Sequence, residues 1–536
     1  MDSISFDQFK SGLDLRKSVY TAGADAMRQL LNCYVNTGHE IVKRPGQKAE
    51  FSIEPGTAGL ASALGKMNTF SSVAPLVSHG DSRLQNRLLP LTAAPTALVT
   101  KIHFCKAFAN CLYVIAEYDN DTVMHHWLND STTWSVSTTY ATTGVFVKPS
   151  TYNGFRYEAT ATSGTGGLGG AEPTWPTTVG STVVQGGGNS TTWTCRSNEI
   201  TDTNCPTQSK SAIIIDDHIF SPDTGGIVRI CAVRDARDWT TANNAGFIDA
   251  SGNQNNAGEV LGLGEFKKKL VVYFYDSLQT WNIDPDPSLM TLAESVYNSG
   301  SPWPRSSGQV SQDTFYLSAG GFRSIELNEA SLATNDNDVG SPIDVLVRAS
   351  LKLMMASYDP VNVLTDWVQD TGQYMCIVED DTWAYAFSST GRVAAWSEYL
   401  LGEKPSDMTM HQGTLYMRSG DVGYAFDLDT HADNGNPAQC IVEFPLVDCK
   451  SPGTLKMFQG MDYVGSGTVD VAFKYIDDAG ITYTTDPVTV SAFTPPGALT
   501  PVEVCAVAIA PIITHQANEP FSLARLSLYY QQLGAK

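Results

Sequence analysis

Several residue groups in this chain have the types and spacing that chemistry requires. Gly164-Thr165-Gly166-Gly167-Leu168-Gly169 spells G-x-G-x-x-G behind a strand-like stretch at 155–162. Such a loop cradles a pyrophosphate only if a helix follows. Pro173 and Pro176 forbid that helix, so no nucleotide cofactor is expected. Asp427, Asp429, Asp433, Asn434 and Asn436 gather oxygens as a Ca²⁺ loop would. They miss the EF-hand register and its terminal bidentate Glu, so a solvated turn is the better reading. His125 and His126 are adjacent, and on a strand they face opposite sides. Asp130 to Trp134, Asp276 to Trp281 and Asp380 to Trp383 place an acid near a tryptophan at successive turns. Arg229, Arg234, Arg237, Arg305 and Arg323 could supply an anion-binding triad. A glycosidase would add a nucleophile and acidic partners, and no spacing selects them. There is no G-x-S-x-G elbow. No metal, cofactor or catalytic residue is expected, and the chain is not expected to be an enzyme.

The elements that would carry these groups repeat. Hairpin-like segments, each an apolar strand, an acidic or glycine turn and a second apolar strand, occur at 111–127, 218–233, 269–283, 314–327, 373–387 and 413–428. Their first apolar residues are Leu112, Ile219, Leu270, Phe315, Tyr374 and Leu415, separated by 107, 51, 45, 59 and 41 residues. A propeller blade takes roughly 40 to 50 residues. The long first step contains a Thr-, Ser- and Gly-rich stretch whose removal restores that period. The expected fold is therefore mainly β: a β-propeller over 98–145 and 201–445, interrupted by a small β module at 146–200. A β-sandwich would produce the same alternation.

The chain has 536 residues and a formal charge of −22, which disfavours nonspecific nucleic-acid binding through a basic surface. The same charge would suit a wall past which DNA slides, because phosphate-neutralising Lys and Arg would retain it, and solubility explains it more simply. MDSISFDQFK lacks the basic and apolar blocks of a secretory signal, and the apolar stretch 504–513 is too short to span a membrane. Ten cysteines without C-x-x-C argue against zinc. Cys105 with Cys111, Cys195 with Cys205, and Cys440 with Cys449 are near enough in sequence to bridge under oxidising conditions.

The amino-terminal order is Phe9-Lys10-Ser11-Gly12-Leu13-Asp14, an Ala-containing polar segment, Asn32-Cys33-Tyr34-Val35-Asn36, then Ile41-Val42-Lys43-Arg44-Pro45-Gly46. It resembles the start of tail nozzle proteins of short-tailed bacteriophages, the tail tubular protein B type. The resemblance covers residues 9 to 46 and, more loosely, the hairpins and the ending Leu526 to Tyr530. It implies a structural virion protein that extends the portal and adaptor channel and supports DNA retention and ejection. It further implies a homohexameric ring touching the head-to-tail adaptor and tail fibres, with genomic DNA passing through unbound. Such a protein is made in the host cytoplasm and resides in the virion tail. Gly12, Leu13, Asp14, Asn32, Lys43, Arg44, Pro45 and Gly46 become assembly or adaptor contacts within an amino-terminal platform, 1–97. Removing residues 1–46 is expected to leave a soluble propeller that no longer assembles.

The stretch at 146–200 departs from that family and resembles small carbohydrate-binding-like modules. Tyr157, Trp175 and Trp193 could stack on sugar rings, although a module of this size needs such rings as its core. The alternative function is accordingly a glycan-binding or depolymerising tail appendage with a sialidase-like propeller. Residues 446–536 read as a β-sandwich-like domain or as strands that complete the ring. One helix is expected at 342–357, capped by Ser341, started by Pro342 and buried through Ile343, Leu346, Val347, Leu353 and Met354.

Overall fold

A computed structural model describes residues 2–52, 67–69, 75–79, 83–85 and most of 99–535. Residues 53–66, 70–74, 80–82 and 86–98 lie outside the described residues, as do shorter stretches that include 119–121, 167–170, 241–243, 254–257, 328–337, 359–362, 379–382 and 492–498.

All six hairpins form, each an antiparallel strand pair within a different sheet. Residues opposite one another alternate between the faces, and the apolar face packs on the next sheet. Ile219 thus joins the core of the first blade, while Phe220 joins that of the blade after. Tight turns set the register. Asp216-Asp217 and Lys267-Lys268 each link two strands with both residues at positive φ, the backbone of a two-residue hairpin turn. The innermost strands Val99–Phe108, Ile213–Ile215, Gly262–Phe266, Gly308–Val310, Val363–Val368 and Asp407–His411 surround a central channel of about 560 Å³. The fold is a β-propeller.

The amino terminus contributes to the ring, contrary to the platform expected at 1–97. Met67–Thr69, Pro75–His79 and Arg83–Gln85 form a further three-stranded sheet in the ring, beside the six that carry the hairpins. Its first strand lies against Asp407–His411 on one side and Val99–Phe108 on the other. Gly46–Ser52 pairs with Val422–Asp427 as the fourth strand of the last blade. The ring is therefore closed by an early strand on a late one, and residues 446–536 are not needed for closure.

Those carboxy-terminal residues build a two-sheet sandwich together with residues 2–43. Asp2–Asp7 and Ile41–Lys43 both pair with Ser522–Ala535, and Gln29–Leu31 pairs with Cys440–Glu443. Gln29–Leu31 also bridges to the blade strand Ala395–Leu400, so one sheet runs continuously from propeller to sandwich. A single large core joins Phe6, Phe9 and Leu13 to Phe322, Trp396, Phe458 and Leu526.

The insertion begins earlier than expected. Thr132–Thr133, Phe146–Lys148, Phe155–Ser163, Thr182–Gly186 and Ser190–Ser197 make one five-stranded sheet. Trp134 and Tyr140 belong to its core. Its stem is clamped to the first blade by Arg237, whose Nη2 donates to the Leu128 carbonyl at 2.6 Å.

The helix, α1, spans Asp344–Ala356. Ser341 does not cap it, and its buried Oγ has no hydrogen-bond partner. Ile343, Val347, Leu351 and Met354 face the core, whereas Leu353 faces out. No helix among the described residues is long and apolar enough to cross a membrane.

Candidate assembly site

The amino-terminal signature converges on one buried interlock between propeller and sandwich. Arg44 is 0% exposed, and its guanidinium is fully engaged. Nη1 and Nη2 reach Asp433 Oδ1 and Oδ2 at 2.9 and 2.5 Å. Nε donates to Asn32 Oδ1 at 2.8 Å, and the remaining bonds go to the carbonyls of Pro45 and Leu400, both at 2.8 Å. This fork-on-fork pairing suits arginine and would be lost with lysine. Asp433 also accepts from the backbone N–H of Gln47 and of Gly402, so its charge is held by four donors.

The neighbours are shaped to fit. Asn32 sits at φ 55°, its Nδ2 donating to the Gln439 carbonyl and its Oδ1 accepting from the Leu400 N–H. A Cβ on Gly46 would stand 2.2 Å from the Ala432 carbonyl oxygen. Gly12 has φ +57°, and a Cβ there would stand 2.6 Å from that of Ala395, which admits only glycine where the chain threads past the blade. Leu13 is fully buried. Burial works to raise the Asp14 carboxyl, but Arg16, bonded to both of its oxygens, outweighs that and holds it below its ordinary range.

Lys43 points inward too. Its Nζ donates to the Ala517 carbonyl at 2.6 Å and lies 3.2 Å from His515 Nδ1, and burial lowers its affinity for a proton. Cys33 and Cys440 are buried beside it. Burial pushes the Cys33 thiol well up; in Cys440 burial is opposed by hydrogen bonds from Cys33 and His515 and by the Lys43 charge, which bring it down.

Where the sequence turns Lys43 and Arg44 toward a neighbouring subunit or adaptor, the structure turns them into the chain itself. The physical reason is Asp433, which leaves the guanidinium no donor to offer. Residues 1–46 therefore support the fold: their removal would strip Phe6, Phe9, Leu13, Leu30 and Ile41 from the shared core. Asp433 was legible only as a cation ligand, and the cation proves to be Arg44. Asp427 likewise meets a cation, Lys48 Nζ at 3.0 Å. Among the described residues no cluster of three or more His, Cys, Asp or Glu is placed to hold a metal.

The remaining candidates separate. Tyr157 and Trp193 are fully buried: Tyr157 Oη donates to the Pro176 carbonyl, and Trp193 Nε1 donates to Gln185. Trp175 leans on Tyr157 with ring centroids 4.3 Å apart. Tyr157 and Trp193 belong to the module's core and present no face to a sugar, while the partly buried Trp175 packs against that core. Arg229, Arg234 and Arg323 pair with Asp223, Asp217 and Asp344, Arg237 holds the insertion stem, and Arg305 lines the central channel. Cys195 and Cys205 sit in separate cores, and Cys440 neighbours Cys33 instead of Cys449. Cys105 is buried, and the Cys111 side chain lies outside the described residues.

Ring, sandwich and interlock define a β-propeller protein with a co-folded terminal β-sandwich. No family model and no curated protein matches the chain. Solved structures similar to it include the computationally designed Ika8 protein, with a TM-score of 0.36 and 8% identity over 71% of this chain and 100% of that one. BamB from Moraxella catarrhalis gives 0.32 and 8% over 72% and 97%. The β-propeller domain of Cps50 (Swd1) from Myceliophteria thermophila gives 0.28 and 10% over 71% and 99%.

Proposed function

We propose that this chain is a structural subunit of a short phage tail, the nozzle that continues the portal and adaptor channel. The observation that carries the proposal is the use made of the signature residues. Asn32 to Gly46 tie the sandwich to the propeller through Arg44 and Asp433, which a subunit under load from packaged DNA would need. A fully satisfied buried ion pair favours one arrangement of two bodies over others, because any shift leaves a charge unpaired. The net charge of −22 suits a conduit that does not retain DNA. The appendage alternative loses two of its three rings, since Tyr157 and Trp193 are interior and only Trp175 is partly exposed.

Purified virions test the proposal. The chain should be present in a fixed low copy number per particle and absent from heads that lack tails. Recovery only from host lysate, or only with detachable fibres, would remove the nozzle reading.

A further inference from the structure

The chain passes into the propeller after Lys43 and leaves it before Cys440, and the strands flanking that passage face each other inside the sandwich. Cys33 stands directly opposite Lys43 in one sheet, and Cys440 directly opposite His515 in the other. Residues opposed in an antiparallel pair share a face, and both faces here turn inward, since none of the four is more than 5% exposed. The two pairs meet. Lys43 Nζ comes within 3.2 Å of His515 Nδ1, and Cys440 Sγ lies 3.3 Å from the carbonyl oxygen of Asn32, the residue before Cys33. The Cys33 and Cys440 thiols are hydrogen-bonded to each other.

A buried ammonium is normally balanced by a carboxylate. Lys43 bonds instead to His515 and the Ala517 carbonyl, and among the described residues no carboxylate pairs with it. The groups left to balance its charge are the two thiols. Burial works against ionising Cys440, yet the Cys33 and His515 hydrogen bonds and the Lys43 charge bring it down to about 6. A thiolate held against a second thiol is the arrangement from which a disulfide forms.

We propose that Cys33 and Cys440 join in a disulfide when the protein meets a peroxide, and that this bridge is a redox-controlled staple across the neck of the propeller. The Cys440 sulfur attacks one peroxide oxygen and the O–O bond breaks. The departing hydroxide leaves as water with the proton that Cys440 gave up, and Cys440 becomes a sulfenic acid. The Cys33 sulfur then attacks the Cys440 sulfur, the S–O bond breaks, and the hydroxyl leaves with the Cys33 proton as a second water. Two thiols are oxidised to one disulfide, and one peroxide is reduced to two waters. Burial excludes larger oxidants and leaves the pair to one little bigger than water. The bridge encloses the chain from Arg44 to Gln439, and a cross-link restrains the unfolded chain more as its loop lengthens. Asn32 and Arg44 adjoin Cys33 and Lys43 and belong to the Asp433 interlock, so staple and ion pair hold the same joint.

The experiment exposes the purified, fully reduced chain to hydrogen peroxide while folded, alkylates the remaining thiols and digests with trypsin without reduction. Cys33 falls in the fragment 29–43, and Cys440 with Cys449 in the fragment 419–450. Mass spectrometry should find these two fragments joined and lighter than their sum by two hydrogens. Cys440→Ser should give no such product, and Cys449→Ser should give as much as the unaltered chain. The oxidised chain should melt about 4 °C higher and return to its starting midpoint with dithiothreitol. Thiols that stay open to alkylation after peroxide and denaturation would overturn the staple. So would a bridge confined to Cys440 and Cys449, Cys440 driven to sulfinic acid without a partner, or a bridge whose reduction leaves the midpoint unchanged. None of this draws on the nozzle reading, and the virion experiment is decided separately.

Discussion

Replacing Asp433 with alanine should be among the most damaging single changes in this chain. The side chains of Arg44 and Asp433 are 0% and 5% exposed. Truncation leaves a buried guanidinium facing a void and removes the acceptor from two backbone N–H groups, those of Gln47 and Gly402. A buried pair broken from one side costs about 3–5 kcal/mol, and an orphaned buried donor adds about 1–3 kcal/mol where water cannot replace its partner. These contributions overlap, so the expected loss is about 4 kcal/mol. Arg44→Met should cost less, about 2–3 kcal/mol, because Asp433 keeps its two backbone donors. Arg44→Met with Asp433→Leu should recover most of the loss, since an apolar pair of similar volume removes the stranded charge. Urea unfolding followed by tryptophan fluorescence measures all three. The differences should persist at about 0.5 M salt, because a pair without solvent access is little screened. A cost below about 1 kcal/mol for Asp433→Ala, or one that vanishes in salt, would refute the buried interlock.

Gly46→Ala should destabilise by more than about 2 kcal/mol, because its Cβ would meet the Ala432 backbone and not a movable side chain. Gly188→Ala, where nothing stands within 4 Å, is the neutral control, and thermal midpoints compare the two. Trp193→Ala should cost the insertion about 3–5 kcal/mol as its core empties; limited proteolysis should then cut within 132–197 while the propeller survives. Burial raises the Glu398 carboxyl from 4.5 to about 7. The folded state thus holds this proton more tightly than the unfolded chain, so Glu398 withdraws stability as pH rises from 4.5 through 7 and restores it below 4.5. Glu398→Gln should accordingly stabilise the protein at pH 8 by about 1–3 kcal/mol and hardly at all at pH 4, read as the shift in urea midpoint.

The blade hairpins were legible because their signal is local: apolar alternation with period two, broken by turn residues. The strand that closes the ring was not. Gly46–Ser52 reads GQKAEFS, a largely polar strand on the outside of its blade, and nothing within seven residues names a partner at Val422–Asp427. Arg44 failed for the same reason. A basic pair before Pro-Gly resembles a solvated turn until Asp433, 389 residues away, is brought to it. In α1 the helical period was right, but two apolar stripes competed, and only packing selects Leu351 over Leu353 for the interior. Trp193 of the insertion is core, as a module with little else to bury requires, whereas Trp175 is only partly buried against it.

The nozzle assignment is most directly tested by electron cryo-microscopy of virions carrying a small tag in the insertion. Gly166 is closed off by the Tyr140 backbone, whereas Gly188 is open, so the tag belongs at Gly188. Six equivalent tag densities arranged around the channel axis below the adaptor are expected. Tag density confined to peripheral fibres, or absent from intact particles, would contradict it.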